Sequence, residues 1–298
     1  MTIRSKLQTV LSTKKYARNW ISIIFKMINE REAQIFLRSG QKICNVKDSY
    51  SFINLLSYGW KITEYDDSFI VLKNVNNIKL KCRIKEGFDF GHILEIFEKN
   101  TYLKDFKNST VIDVGASTAD SSIYFAINGA KEVYGLEPMK ESYDIALYNI
   151  MINNLTNKVH LINAACSSKS GTIELNLSSK NPNANSIIPS EIVRASGINF
   201  NSKRLVDSIS LKDIIYQYGL SKIDLLKMDC EGCEYEVFQN IDEETFSIIN
   251  TIILEFHEGL KFLPDLLKGH GFQVNYEQST KLGILKASRN NLQPKFSN

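Results

Sequence analysis

The stretch Thr110-Val111-Ile112-Asp113-Val114-Gly115-Ala116-Ser117-Thr118-Ala119-Asp120 decides the fold. Its first half is a run of β-branched residues broken by Asp113, the pattern of a strand buried on both faces of a sheet. Gly115 and the small residues after it end that strand in a tight turn, where the backbone can bend and a ligand can approach closely. Ser121–Ile127 then suits a helix, closed by Gly129.

Working outward, the same alternation repeats. Val133–Pro138 reads as a second strand. Glu141–Asn154 reads as a helix with Tyr143, Ala146, Leu147 and Ile150 on one face. Val159–Ala165, Ile223–Asp229 and Thr251–Phe256 are further apolar strands, and Gly171–Leu177 is a shorter one. Phe272–Tyr276 and Leu282–Ala287 suit a closing antiparallel pair, and Ser178–Asn201 is polar and expected to be a long loop. Strands alternating with helices imply an α/β fold, doubly wound around a mostly parallel sheet. Toward the N-terminus, residues 1–40 read as helical. Ser68–Lys73 and Ile78–Cys82 form a hairpin about Asn76-Asn77, and residues 91–103 are again helical. The expected organisation is an extension over 1–90 for acceptor binding or oligomerisation, a catalytic domain over 91–288 and a tail over 289–298.

Composition narrows the partners. The 298 residues are 43% hydrophobic and carry a net charge of only +3, with no long basic run, which argues against nucleic acid as the main partner. Five scattered cysteines are not a disulfide framework, and no secretory signal opens the sequence, so a reduced, cytoplasmic setting is expected. Trp20–Ile28 is apolar but about half the length of a bilayer span. It can lie in a membrane interface as a peripheral contact, or dock on the domain or on a partner subunit of a homo-oligomer.

Three segments carry chemistry. The first is the turn itself, with Asp113, Gly115, Ala116, Ser117 and Asp120. Ligands of open α/β sheets bind outside the carboxyl ends of the strands. Glu137, before Pro138 and 22 residues after Gly115, has the spacing of an acid that binds ribose hydroxyls. The G-x-G-x-x-G pattern of a pyrophosphate site is missing. S-adenosyl-L-methionine has no phosphate, and its sulfonium and amino groups favour carboxylates such as Asp113, so it suits this turn better. Asn163 and Ala164 are candidates for the adenine wall.

The second segment is Asp229-Cys230-Glu231-Gly232-Cys233-Glu234, whose three carboxylates after an apolar strand are costly unless solvated or used. Glu234 alone suits a solvated helix start. Cys230 and Cys233 lack a second pair for zinc and read as incidental small apolar residues. The third segment, Glu255-Phe256-His257-Glu258-Gly259, sets a histidine among carboxylates, either as a general base or as a satisfied structural residue.

These segments resemble the FkbM family of methyltransferases. The resemblance is carried by Val111–Ala116, Asp120–Phe125, Gly135–Pro138, Lys227–Glu234 and Leu254–His257, covers about residues 90–287, and is most specific in D-x-E-G-x-E. It implies a Rossmann-like class I methyltransferase with a seven-stranded sheet. The implied reaction is O-methylation of a hydroxyl on a sugar, glycan or small-molecule metabolite, with acceptor specificity in residues 1–90 and 178–201. The family turn usually reads Gly-Ala-Asn-x-Gly, whereas this sequence has Ser117 and Ala119, so a catalytically inactive scaffold is the main alternative and an RNA methyltransferase a more distant one. His257, Asp229 and Glu231 are the candidates for catalysis, with His257 as base and Asp229 also facing the cofactor. A metal ion shared by these three needs more oxygen ligands than can be named, so no metal is assigned.

Overall fold

The computed structural model describes residues 3–85, 88–99, 101–102, 105–178, 185, 200–276 and 281–289. The chain divides into two compact units, Met1–Tyr102 and Leu103–Asn298.

The first unit contains helices α1 (Ile3–Tyr16) and α2 (Trp20–Ile28), strands β1 (Ala33–Phe36) and β2 (Lys42–Val46), helix α3 (Ser49–Ser57), strands β3 (Lys61–Tyr65), β4 (Phe69–Lys73) and β5 (Lys79–Arg83), and helix α4 (Asp89–Ile93), which a π-helical turn (Leu94–Glu98) continues. The helical expectation for residues 1–40 fails at Ala33. Ala33 and Ile35 are buried while Gln34 and Phe36 face out, a period of two, and β1 pairs antiparallel with β2. The expected hairpin is present: β4 pairs with β5, and the side chain of Asn74 accepts from the backbone N–H of Asn76 and Ile78 at 2.9 and 3.0 Å. Strand β3, which sequence reading left out, extends it to three strands. The unit runs to Tyr102. A buried ion pair, Arg83 Nη2 to Asp89 Oδ1 at 2.6 Å, ties α4 to β5, and Trp60 Nε1 donates to Glu98 at 2.7 Å.

The second unit is built on β6 (Thr110–Val114), α5 (Asp120–Ile127), β7 (Glu132–Leu136), α6 (Lys140–Ile152), β8 (Val159–Ile162), β9 (Ala165–Cys166), β10 (Gly171–Ser178), β11 (Phe200–Ile209), α7 (Leu211–Tyr218), β12 (Leu225–Met228), α8 (Cys233–Asn240), α9 (Glu243–Ser247), β13 (Thr251–Phe256), α10 (Leu263–Gly269), β14 (Gln273–Tyr276) and β15 (Gly283–Ser288). Seven strands form one sheet in the order β14-β15-β13-β12-β6-β7-β8. Only β15 runs against its neighbours. Every residue of β12 is buried, and Ile112, Val114, Leu226, Met228, Ile252 and Leu254 form the core between the central strands and the helices.

Two readings of this unit change. The buried face of α6 is Ile145, Ala146, Asn149 and Ile150, while Leu147 faces outward. Val159–Ala165 is not one strand, because the chain leaves the main sheet after Ile162 and β9 joins β10 and β11 in a second sheet. Most of the expected 178–201 loop, and residues 290–298 of the expected tail, lie outside the described residues.

The strand order fixes where a ligand can sit. From β6 the chain steps outward through β7 and β8; from β12 it steps the other way through β13. The reversal lies between β6 and β12, and a crevice opens outside the carboxyl ends of adjacent strands at such a point.

Candidate active site

The turn after β6 is bound on one side by β12. A side chain at Gly115 would place its Cβ 1.8 Å from the backbone oxygen of Asp229, and Gly115 has φ +79°, so glycine is required by the crossing of two strand ends. Ser117 (φ +47°) and Ala119 (φ +63°) are also left-handed. Ala119, where the resembled motif has glycine, therefore holds a left-handed conformation, at a strain of about 1–3 kcal/mol.

Asp113 does not face outward as the sequence suggested. Its carboxylate is buried, accepts from Ser121 Oγ at 2.7 Å and Ser122 Oγ at 2.6 Å, and lies 3.0 Å from Lys227 Nζ. Lys227 Nζ also donates to the carbonyl of Gly115 at 2.9 Å. Register explains the pairing: Asp113 on β6 is the partner of Lys227 on β12. Two buried charges compensate one another, so Asp113 shapes the turn from beneath instead of lining it.

Glu137 ends β7 and braces the turn from the other side. Its carboxylate accepts from the backbone N–H of Ser117 at 3.0 Å and of Met139 at 2.8 Å. Asn163 stitches the ends of β7 and β8 together by donating to the carbonyls of Glu137 and Pro138, at 2.8 and 3.1 Å. Ala116, Asp120 and Ala164 are buried; Gly115, Ser117, Pro138 and Asn163 are partly open. The buried hydroxyl of Ser117 has no hydrogen-bond partner among the described residues.

Across the crevice, the ends of β12 and β13 bring Asp229, Glu231, Glu234 and His257 together. Glu234 is 0% and His257 5% exposed, whereas Glu231 and Asp229 are 22% and 34% exposed, so the cluster runs from the interior to the surface. Glu234 accepts from the backbone N–H of His257 at 3.2 Å, contacts His257 Nδ1 at 3.3 Å, and accepts from Gly232 N at 2.9 Å. The other ring nitrogen, Nε2, lies 3.3 Å from Glu231 and 4.0 Å from Asp229.

The electrostatics follow from this crowding. Burial alone would push the His257 imidazole down, but the hydrogen bond with Glu234 and the charges of Glu231, Glu234 and Asp229 outweigh it and raise the ring to about 10. Burial raises Glu231 to about 7, with Asp229, Glu255 and Glu234 adding to the rise and His257 opposing it. At neutral pH, then, His257 is an imidazolium and has no lone pair to take a proton. Glu231 is poised near neutrality, where a general base is most effective. Asp229, Glu255 and His257 offer donor atoms within 4.8 Å of one another. A metal ion bound there would take the place of the imidazole proton.

Sequence reading missed Glu234, which resembles a solvated helix start until β13 covers it. It also missed Tyr235, whose hydroxyl donates to the carbonyl of Gly259 at 2.7 Å and accepts from Glu258 N at 2.8 Å. Lys227 was visible only as one charge inside an apolar strand.

The cysteines correct another expectation. Cys230 and Cys233 are joined by a disulfide, while Cys44, Cys82 and Cys166 take part in none. The bond spans Glu231 (φ +55°) and Gly232 (φ +114°), and so constrains the left-handed segment that aims Glu231 at His257. Chain-entropy arguments give a loop this short about 2 kcal/mol. Treatment with a thiol reductant is expected to lower unfolding stability by about that amount, read from the urea midpoint. The Cys230→Ser/Cys233→Ser variant should match the reduced protein and no longer respond to reductant.

The arrangement pairs a small-residue turn braced by Glu137 on one side of the crevice with an acid-histidine cluster on the other. The family model described as the methyltransferase FkbM domain matches residues 113–274, more than half of the chain and every segment just described. The methyltransferase sdnD of Sordaria araneosa is 26% identical over 198 residues, covering 58% of this chain and 76% of that protein. The 31-O-demethyl-FK506 methyltransferase FkbM of Streptomyces tacrolimicus is 34% identical over 73 residues, covering 24% of this chain and 28% of that protein. Among solved structures, the methyltransferase FkbM of Methylobacillus flagellatus aligns with a TM-score of 0.44 at 11% identity, over 95% of this chain and 59% of that one. With its core spanned by the family model, the chain belongs to the FkbM family of methyltransferases.

Proposed function

We propose that this methyltransferase moves a methyl group from S-adenosylmethionine to a hydroxyl oxygen of a sugar, glycan or small-molecule metabolite, with Glu231 as the base. The observation that carries the reading is the cluster itself. A carboxylate raised to about 7 stands at the rim, backed by a buried imidazolium and a buried carboxylate.

The residues present fit this cofactor. Glu137 supplies a carboxylate, a group with about four acceptor sites and so suited to a pair of ribose hydroxyls. The hydroxyl of Ser117, without a partner among the described residues, is a polar group that a ligand in the turn would satisfy. When bound, the cofactor supplies a methyl group already activated on a sulfonium. What remains for the chain is alignment and one proton. Glu231 accepts the proton of the acceptor hydroxyl as the oxygen attacks. His257, held by Glu234, keeps a positive charge beside Glu231 and offsets the repulsion of Asp229. Asp229, the most open of the group, positions the acceptor by accepting a hydrogen bond from it.

Calorimetric titration with S-adenosylhomocysteine tests the cofactor half. Saturable binding is expected, and Glu137→Ala should weaken it by about tenfold or more, as expected when hydrogen bonds to a charged acceptor are lost. Absence of heat at millimolar ligand would overturn the reading. The acceptor half is tested by comparing small molecules and glycans from cells with and without the gene, for a mass difference of one methyl group.

A further inference from the structure

We infer that the α1–α2 hairpin is a docking surface for an anionic lipid membrane, independent of the acceptor that the catalytic site takes. Charge is the first observation. Residues 1–32 hold seven basic side chains (Arg4, Lys6, Lys14, Lys15, Arg18, Lys26 and Arg31) against Glu30 and Glu32. That is +5 in a chain whose net charge is +3, so the rest of the molecule carries −2. The net positive charge of the chain thus comes from this segment of the sequence.

The second observation is the apolar face set within that charge. Along α2 the buried residue is Ile23, while Ile21, Phe25 and Ile28 are 67%, 60% and 75% exposed. They are spaced i, i+4, i+7 and form one outward stripe. On α1, Leu7 and Leu11 are exposed at the same spacing, and the stripe continues into Lys14, whose Nζ lies 5.8 Å over the ring of Trp20. Trp20, Ile21 and Phe25 line a shallow apolar hollow together with Arg18. Aromatic and branched side chains on one face, rimmed by lysine and arginine, are the composition of a helix that lies in the headgroup region.

Length and charge choose the occupant. Nine residues of helix span about 14 Å, too short to cross a bilayer, and no helix among the described residues is long and apolar enough to do so. A second copy would bring two identical segments of net charge +5 together, whereas an anionic leaflet attracts each lysine or arginine near it. The apolar stripe inserts, and the basic rim binds lipid phosphates and carboxylates.

The test is co-sedimentation of the full chain with vesicles of phosphatidylcholine alone and of phosphatidylcholine mixed with phosphatidylserine. Binding to the mixed vesicles should be about tenfold tighter or more, and should fall as salt rises. Phe25→Glu, an exposed position whose change leaves the fold and its melting temperature intact, should weaken binding by about ten- to a hundredfold. Failure of the chain to bind mixed vesicles at low salt would overturn the inference. Binding that disappears with salt but ignores Phe25→Glu would also overturn it, because it would reflect surface charge without insertion. A dimer in sedimentation velocity that Phe25→Glu dissolves, with no vesicle binding, would assign the face to a second copy instead.

Discussion

Glu231→Gln is expected to lower kcat by about two to four decades, the range supplied by a positioned general base. Glutamine keeps the size and the hydrogen-bonding reach of the side chain but cannot take a proton. Cofactor affinity, read by calorimetry with S-adenosylhomocysteine, should stay within about twofold, because Glu137 and the β6 turn lie on other strand ends. The pH profile carries the sharper consequence. Glu231 must be ionised to act, so kcat rises with pH through about 7. The imidazolium beside it is lost only as pH rises through about 10, so the rate falls again on that side. The two limbs belong to the cluster as a whole, but the Glu231→Gln variant should lose the acid limb. His257→Ala also lowers kcat, since Glu231 then faces Asp229 and Glu234 without a cation and is pushed further up. It should move the acid limb to higher pH instead of abolishing it. If His257→Ala instead abolished the acid limb while Glu231→Gln turned over at the wild-type rate, the imidazole would be the base.

That division of roles could not be read along the chain. The β6 strand and its turn were legible because a β-branched run stops at Gly115 and small residues follow. The ends of β12 and β13 were legible because carboxylates and a histidine follow apolar runs. What the chain conceals is which charges meet. His257 titrates high because Glu231 and Asp229 from the β12 loop, and Glu234 from the next helix, converge on a ring that sits 23 residues beyond Glu234 in sequence. Each carboxylate taken alone suits a solvated loop. Asp113 was misplaced for the same reason, since its partner Lys227 lies 114 residues away and only strand register brings them together. Strand β11 went unseen because Asn201, Ser202, Lys203 and Arg204 give it a polar edge, and its apolar positions Leu205 and Val206 have little contrast around them. The disulfide across Glu231 was dismissed because a C-x-x-C pair was weighed as zinc ligands or as packing; its role lies in backbone geometry, which spacing alone does not encode.

The largest structural effect is expected beneath the turn. Lys227→Met leaves the carboxylate of Asp113 buried at the centre of the sheet without its counter-charge, a change worth about 3–5 kcal/mol of stability. The serine hydroxyls of α5 still donate to one carboxylate oxygen, but neither is charged, and the oxygen facing Lys227 loses the ammonium 3.0 Å away. Adding Asp113→Asn should recover a large part of the loss, because the pair of neutral side chains removes the uncompensated charge that either single change leaves behind. Urea denaturation of the two single variants and the double variant forms the required cycle. A coupling near zero would show that Asp113 and Lys227 contribute independently and that the sheet tolerates either charge alone. The same lysine holds the carbonyls of Val114 and Gly115 at 3.3 and 2.9 Å, so its loss reaches the site as well as the core. With that tether gone, the left-handed sequence at Gly115, Ser117 and Ala119 keeps Glu137, the Leu136 carbonyl and Asn149 on the Thr118 carbonyl, but loses its hold from the β12 side. Binding of S-adenosylhomocysteine to the folded Lys227→Met protein is therefore expected to weaken as well, and the double variant should recover stability without recovering that affinity, because methionine restores neither carbonyl contact.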